Sequence, residues 1–138
     1  MHNCKALVIT CMDFRLVRQT GKYLADLGLE NNYDLLSVAG STKDLVAGDE
    51  KIKDFFFRNI NVSCALHSAR QVFIIHHSDC GAYGGSAAFA SAEKEKEFQI
   101  SEMQKSEAVI KEKFPQFEIK KIYAIIKEGG AIEFDEIK

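Results

Sequence analysis

Residues 6–19, ALVITCMDFRLVRQ, contain the pattern that decides the fold. An unbroken run of apolar and β-branched residues ends at Cys11, and charged side chains follow immediately at Asp13 and Arg15. A short continuous run of this kind is typical of a strand that is covered on both faces of a parallel sheet. The sequence therefore predicts a buried strand that carries a thiol at its carboxyl end and two charges just beyond it.

Further runs of the same kind alternate with longer amphipathic stretches. Strands are predicted at 5–11, 33–40, 71–77 and 117–127, and helices at 16–28, 49–69 and 86–113, the last in one piece or two. Strand–helix alternation indicates parallel strands with right-handed crossovers. We expect an α/β fold with an open, mainly parallel sheet of four strands in the order 2-1-3-4. A short antiparallel fifth strand within 128–134 and helices on both faces complete it.

The composition sets limits on the function. The chain has 138 residues, near the commonest domain size, so residues 1–138 are expected to form one domain. A net charge of −2 gives no electrostatic case for binding nucleic acid or an anionic membrane. With no long apolar run and no signal-peptide pattern, we expect a cytoplasmic protein, in which the four cysteines stay reduced. They are then metal ligands, nucleophiles or packing residues.

The third predicted strand ends in the same way as the first. The sequence QVFIIHHSDCG, residues 71–81, places His77 at the end of the strand and Cys80 three residues later. Ligands of open parallel sheets lie beyond the carboxyl ends of strands 1 and 3 when the order is 2-1-3-4. Cys11, His77 and Cys80 should therefore meet, and two thiolates with one imidazole form a known catalytic zinc set. Alternatively, the cysteines are packing residues and His77 is a buried, hydrogen-bonded histidine.

The residues around these three positions are more specific. CMDFRL at 11–16 and HHSDCGA at 76–82 resemble the paired motifs of the β-class carbonic anhydrases, Cys-x-Asp-x-Arg and His-x-x-Cys-Gly. They are most similar to the short clade that reads CMDxRL and HHTDCG. DLLSVAG at 34–40 stands where that family has a strand ending in Arg-Asn-Ala-Gly, and 117–134 resembles its closing hairpin.

The resemblance implies one Zn²⁺ per chain on Cys11, His77 and Cys80, and reversible hydration of CO2 to bicarbonate by hydroxide on the zinc. It also implies a homodimer or a higher oligomer, in which the partner completes the pocket. Arg15 would hold Asp13 by a bidentate pair, and Asp13 would accept a hydrogen bond from the hydroxide. The alternative for this pair is a turn-capping Asp and a surface ion pair worth at most about 1 kcal/mol.

Five neighbouring residues also have expected roles in this interpretation. Ala39 and Gly40 would form the pocket edge through their backbone, and Tyr83 would line the pocket mouth. Asp79 either orients a ligand or caps the next turn. Gly81 either brings a backbone N–H towards a cysteine sulfur or permits a tight turn.

The remaining conspicuous residues favour structural roles. His76 points opposite to His77 in a regular strand, so a core or interface position is expected. Cys4 and Cys64 lie outside both motifs and are interpreted as packing residues. The charged block EKEKE at 93–97 is expected to be a solvated helix face. In the helix at 49–69, Phe55, Phe56 and Phe57 cannot all face one side, so one of them needs cover from elsewhere, in a dimer interface or in the core.

Other chemistries can be weighed against the same residues. A cysteine phosphatase needs Cys and Arg six apart around glycines, whereas Cys11 and Arg18 are seven apart with no Gly between them. The motifs of zinc deaminases and of thioredoxin-like proteins are missing. Ser37 and Val38 replace the family's Arg-Asn, and the Gln that longer members carry upstream has no counterpart before Cys11. Two alternatives stay open: a hydrolase of carbonyl sulfide or carbon disulfide, and a structural or regulatory zinc domain with Asp13 as fourth ligand.

Overall fold

The computed structural model describes residues 2–138, and these residues contain one five-stranded sheet. Its five strands are β1 (Ala6–Cys11), β2 (Tyr33–Val38), β3 (Gln71–His77), β4 (Glu118–Ile126) and β5 (Ile132–Ile137). The helices are α1 (Val17–Asp26), α2 (Lys43–Ala47), α3 (Glu50–His67) and α4 (Ala92–Lys113). Short 3₁₀ turns lie at Gly81–Tyr83, Ser86–Ala88 and Glu128–Gly130.

The strand order confirms the predicted topology. The strands lie in the order β2-β1-β3-β4-β5. β1 pairs in parallel with β2 and β3, and β3 pairs in parallel with β4, whereas β5 is antiparallel to β4. Because β1 and β3 are parallel neighbours, the residues that end them lie at the same edge of the sheet.

Both faces of the sheet are covered, as its central strands require. All six residues of β1 are buried. Leu7 and Ile9 pack in one core cluster with residues of α3 and α4, while Ala6 and Val8 pack in a second cluster with Leu24 of α1. This alternation explains why β1 is apolar throughout rather than at every second residue. The prediction of helices on both faces is confirmed.

The structure differs from the sequence-based expectation in three elements. The short helix α2 was not predicted. The predicted helix at 86–113 begins only at Ala92, where Ser91 caps it by accepting a hydrogen bond from the Lys94 backbone N–H. In the preceding segment, Ser86–Ala88 form a 3₁₀ turn, and Phe89 and Ser91 have extended backbone. β5 extends to Ile137, beyond the predicted range.

Within residues 2–138, no helix is both long and apolar enough to cross a lipid bilayer.

Candidate metal centre

The structure brings the three predicted metal ligands together. Cys11 ends β1, His77 ends β3, and Cys80 follows His77 after a tight turn. One potential ligand atom from each of the three side chains lies within 4.8 Å of the others, and all three residues are buried. The grouping follows from the parallel pairing of β1 and β3, which places both strand ends at one edge.

One nitrogen of the His77 ring has no hydrogen-bond partner in the part of the chain that the structure describes. Its Nδ1 lies 2.6 Å from the backbone carbonyl of Ser78. A carbonyl only accepts, so Nδ1 carries the proton and Nε2 keeps a lone pair. Nε2 is buried and has no hydrogen-bond partner among residues 2–138. A buried acceptor without a partner is costly, and a metal ion beside two thiols would satisfy it.

The two thiols are in direct contact through a hydrogen bond. Cys80 donates a hydrogen bond to Cys11, which lowers the pKa of the Cys11 thiol. The same hydrogen bond, together with burial and the charge on Cys11, raises the pKa of Cys80. Backbone N–H groups counter that charge: Gly40 donates to the Cys11 sulfur, and Ala82 and Tyr83 donate to the Cys80 sulfur. Donors of this kind favour thiolates, the form in which cysteine binds metals.

Asp13 lies beside this group but is held by Arg15. The Arg15 side chain donates from Nε to Oδ1 of Asp13 at 3.0 Å and from Nη2 to Oδ2 at 2.7 Å. The backbone N–H of Arg15 adds a third bond to Oδ1 at 2.9 Å. The hydrogen bonds from Arg15 lower the pKa of Asp13 to about 2, so the carboxylate is ionised at neutral pH. Its Oδ2 is 3.9 Å from His77 Nε2, close to the three candidate ligands but not hydrogen-bonded to the His77 ring.

Arg15 is itself fixed from its other side by Asp79. Nη1 donates to Asp79 Oδ2 at 3.0 Å, and Nη2 donates to the Asp79 carbonyl at 3.1 Å. Asp79 also caps the following turn, because its Oδ1 accepts from the Ser86 backbone N–H at 2.8 Å. Of the two alternatives from the sequence, capping is present, and the carboxylate orients Arg15 rather than a cysteine or histidine ligand.

Glu95 was missed by sequence reasoning. It lies in the EKEKE block, and the expectation that this block is wholly solvated is wrong for Glu95, which is 2% exposed. Its Oε2 accepts from the Asp79 backbone N–H at 2.8 Å, and both its oxygens accept from the Ser86 hydroxyl. Glu95 thus holds the loop that carries Cys80. The burial of Glu95 could have been inferred from its helical spacing, because it lies in the first turn of α4 on the same face as the buried residues Gln99 and Met103.

The remaining predicted residues take varied positions. Gly40 is buried at φ +75°, and a Cβ there would lie 3.0 Å from the Ala82 Cβ, so this position needs glycine. Ala39 is exposed beside it. Gly81 begins the 3₁₀ turn, while the N–H donors to Cys80 come from the next two residues. The Tyr83 hydroxyl donates to Glu102 of α4 at 3.3 Å, so a role at the pocket mouth stays a prediction.

His76 lies in the core, as expected. Its Nε2 is 2.7 Å from the Thr42 hydroxyl, and its Nδ1 is 2.7 Å from the Gln99 side-chain oxygen. Burial lowers the pKa of His76 to about 4, so the ring is neutral at physiological pH. These bonds tie β3 to α4 and to the segment that follows β2.

An apolar cavity adjoins Cys11. It measures about 210 Å³ and lies between α1 and the strands β1 and β2. Its lining includes Leu16, Val17, Leu24 and Leu35. The cavity could receive a small uncharged molecule close to the strand end that carries the thiol.

Comparison with known proteins agrees with this geometry. Residues 1–133 match the family described as "Putative carbonic anhydrase". The chain belongs to this carbonic anhydrase family. An uncharacterized protein of Rickettsia bellii is 34% identical over 125 residues, which cover 86% of this chain and 75% of the relative. An uncharacterized protein of Rickettsia conorii is 32% identical over 127 residues, covering 86% of this chain and 66% of that protein.

Solved carbonic anhydrases share the fold. A carbonic anhydrase from Glaciozyma antarctica superposes with a TM-score of 0.58 at 19% identity, covering 97% of this chain and 83% of its own. Tetrameric β-carbonic anhydrases from Sordaria macrospora give a TM-score of 0.58 at 16% identity, covering 100% and 84%. The resemblance predicted from CMDFRL and HHSDCGA is therefore confirmed for the family and for the fold.

Proposed function

We propose that this carbonic anhydrase family member catalyses the reversible hydration of CO2 to bicarbonate with one zinc ion per chain. The observation that carries the proposal is the position of Asp13. Its carboxylate lies 3.9 Å from the unpartnered Nε2 of His77, yet three hydrogen bonds from Arg15 hold it. Three ligands with a restrained carboxylate beside them suit a metal centre whose fourth position is left for a reactant.

The donor set fits zinc. Cys11, Cys80 and His77 would hold the ion, and the free lone pair on His77 Nε2 and the N–H groups around both sulfurs support this assignment. Zinc would supply a Lewis acid that makes water nucleophilic near neutral pH, and the pH required would be higher with two thiolate ligands than with three neutral ligands. We also propose a cytoplasmic location, where the four cysteines would stay reduced.

Asp13 would orient the attacking water. Because its pKa is about 2, it stays ionised and can only accept a hydrogen bond. Arg15 donates hydrogen bonds to one side of the Asp13 carboxylate. The lone pairs on the side that faces His77 are then available to accept a hydrogen bond from a water O–H. Asp79 holds the far side of Arg15, so the angle of the Asp13 carboxylate is fixed before a substrate arrives. Orientation prepared in this way lowers the entropic part of the barrier.

The apolar cavity next to Cys11 is not lined by Asp13, His77 or Cys80, so it does not select a substrate for the centre. CO2, carbonyl sulfide and carbon disulfide are all small and uncharged. The family match favours CO2, and a direct comparison of the three substrates on one preparation decides among them.

We also propose that the protein is a homodimer or a higher oligomer. In the described part of the chain β2 forms an edge of the sheet, and its Leu35 is 57% exposed. Phe14, within the motif that carries Asp13, is 85% exposed, and Met12 and Val17 are exposed nearby. Contiguous exposed apolar side chains mark interaction surfaces, and a second copy over this face would also exclude water from the centre.

Stopped-flow CO2 hydration tests the proposal, at pH ~8.5, where a formally neutral zinc site favours the reactive form of water. The protein is first loaded with zinc and its metal content measured. We expect fast hydration in the natural chain and, in Asp13→Ala, a loss of about 10²-fold or more with zinc retained. Loss of zinc in Asp13→Ala, together with no hydration by the natural chain, would indicate a closed site with Asp13 as fourth ligand. Zinc-loaded protein that hydrolyses carbonyl sulfide but does not hydrate CO2 would favour the other alternative.

A further inference from the structure

A second group of side chains with metal-binding donor atoms lies at the amino-terminal ends of the parallel strands, whereas Cys11 lies at their carboxyl ends. Cys4 precedes β1, Asp34 is near the start of β2, and His67 ends α3 just before β3. One potential ligand atom from each residue lies within 4.8 Å of the others. The six residues of β1 separate this group from the first centre by about 20 Å, at ~3.3 Å per residue.

Close contacts already hold the three side chains together. His67 Nδ1 lies 2.9 Å from Asp34 Oδ1 and 2.8 Å from Oδ2. The Cys4 thiol lies 3.6 Å from Asp34 Oδ2, and the Ser63 hydroxyl donates to the same oxygen at 2.7 Å. The backbone N–H of Cys4 donates to the His67 carbonyl at 2.9 Å. The thiol and the imidazole are therefore placed by the backbone and not by side-chain packing alone.

A fourth donor lies next to this group. The ring of His2 has its centroid 5.1 Å from that of His67, with the planes inclined by 55°. His2 is exposed and belongs to the same short segment as Cys4. The contact between the two rings makes the His2 imidazole the nearest candidate for a fourth ligand. The donors available are then two imidazoles, one thiol and one carboxylate.

A nucleophilic role for Cys4 does not fit the contacts. A Cys–His–Asp triad needs the thiol against the imidazole and the carboxylate behind it. Here the thiol of Cys4 and the ring of His67 both bind the Asp34 carboxylate, so His67 is not placed to take the thiol proton. One potential ligand atom from each of the three side chains lies within 4.8 Å of the other two, which is a spacing that one bound cation could span.

We infer that Cys4, Asp34 and His67, with His2 as fourth ligand, form a second site for Zn²⁺. Thiolate, imidazole and carboxylate are the donors that zinc takes in four-coordinate protein sites. The Asp34 and His67 side chains are 31% and 28% exposed, and a cavity of about 120 Å³ lined by both adjoins them, so an ion can enter. Bound there, zinc would join the N-terminal segment to β2 and to the end of α3. This site is independent of the proposed CO2 hydration.

The number of zinc ions per chain tests the inference. The full chain is freed of metal, equilibrated with Zn²⁺ and analysed by plasma mass spectrometry after removal of loosely held ion. We expect two zinc ions per chain, one in Cys4→Ala and in His67→Ala, and two in the matched control Cys64→Ala. Cys64 is suited to this comparison because it is a half-buried cysteine of α3 outside both groups. The inference would be overturned if Cys4→Ala and His67→Ala both held as much zinc per chain as the natural protein.

Cobalt spectroscopy separates the two sites. In a Cys11→Ser, Cys80→Ser double variant, Co²⁺ should still give a thiolate-to-metal absorption band, carried by Cys4. Adding Cys4→Ala should abolish the band, whereas adding Cys64→Ala should not. A band that survives Cys4→Ala, or that is absent from the double variant, contradicts the second site. Neither readout uses catalytic activity, so this inference and the proposed function can fail separately. Circular dichroism verifies that each variant is folded.

Discussion

Arg15 donates to both carboxylate oxygens of Asp13, at 3.0 and 2.7 Å, and the same guanidinium reaches Asp79 at 3.0 Å. One cation thus lies between two carboxylates that come from different strand ends. Asp13 follows β1, whereas Asp79 follows β3. The ion pairs therefore join the two loops that carry the candidate ligands and keep Asp13 ionised beside them.

Arg15→Lys should lower CO2 hydration by about 10²-fold, a loss typical of a reacting group displaced by about 1 Å. Lysine keeps the charge but cannot make two parallel bonds to Asp13 and reach Asp79 as well. Zinc content should not change, because Arg15 is not among the ligands. Arg18→Lys, on the exposed side of α1, serves as the control and should hydrate CO2 at the natural rate. Natural activity in Arg15→Lys would contradict the role proposed for the bidentate pair.

Gly85→Ala should destabilise the protein by about 1–3 kcal/mol, because alanine is strained at its φ of +74°. The new Cβ would also lie 3.0 Å from Asp79 Oδ1, so Asp79 must shift and hydration should fall too. Gly21→Ala, within α1 and with open space around its Cβ, should instead stabilise by about 0.5–1 kcal/mol. Urea unfolding measures both changes. Equal effects of the two substitutions would show that the Gly85 backbone is not constrained.

Leu35→Glu should convert the proposed dimer to monomers. The substitution places a charge on the exposed edge strand β2, where a partner would have to bury it. Light scattering after size-exclusion chromatography gives the mass directly. Phe55→Glu on α3 is the matched control: Phe56 is buried and Phe57 packs on Phe114, so Phe55 is the exposed member of that cluster. Dissociation by Phe55→Glu and not by Leu35→Glu would place the interface on α3 instead.

Tyr123→Phe should make the protein less sensitive to alkaline pH. Burial raises the pKa of Tyr123 above its ordinary value of 10.0, with Glu95 adding to the shift. The folded state thus holds this proton more tightly than the unfolded state does. The resulting stability is complete below pH 10.0 and is lost as the pH rises from there towards the folded-state pKa. The free energy of unfolding, measured from pH 8 to 11 for both proteins, should fall less in Tyr123→Phe. Parallel curves would contradict the predicted shift.

Much of the fold and of the first metal group could be predicted from the sequence, because both depend on local patterns and on one general rule. The continuous apolar run of β1 and the same run in β3 indicate buried parallel strands. Parallel pairing then places Cys11 and His77 at one edge without any knowledge of side-chain packing. The Cys-x-Asp-x-Arg spacing likewise lies within one turn, so the pairing of Asp13 with Arg15 needs only a few residues of chain.

Contacts between distant residues were decided by the tertiary structure alone. Glu95 lies in a charged block that is typical of a solvated helix, and it is buried because α4 packs that position against the loop of Asp79. Asp34 and His67 are far apart along the chain, and they meet because β2 begins at the same end of the sheet at which α3 ends. Periodicity reports which side of an element is buried, but it contains no information on which polar groups meet there. The sequence by itself determined the sheet and the proximity of Cys11, His77 and Cys80. The packing of helices and loops decided what holds these residues in place and which other polar side chains meet.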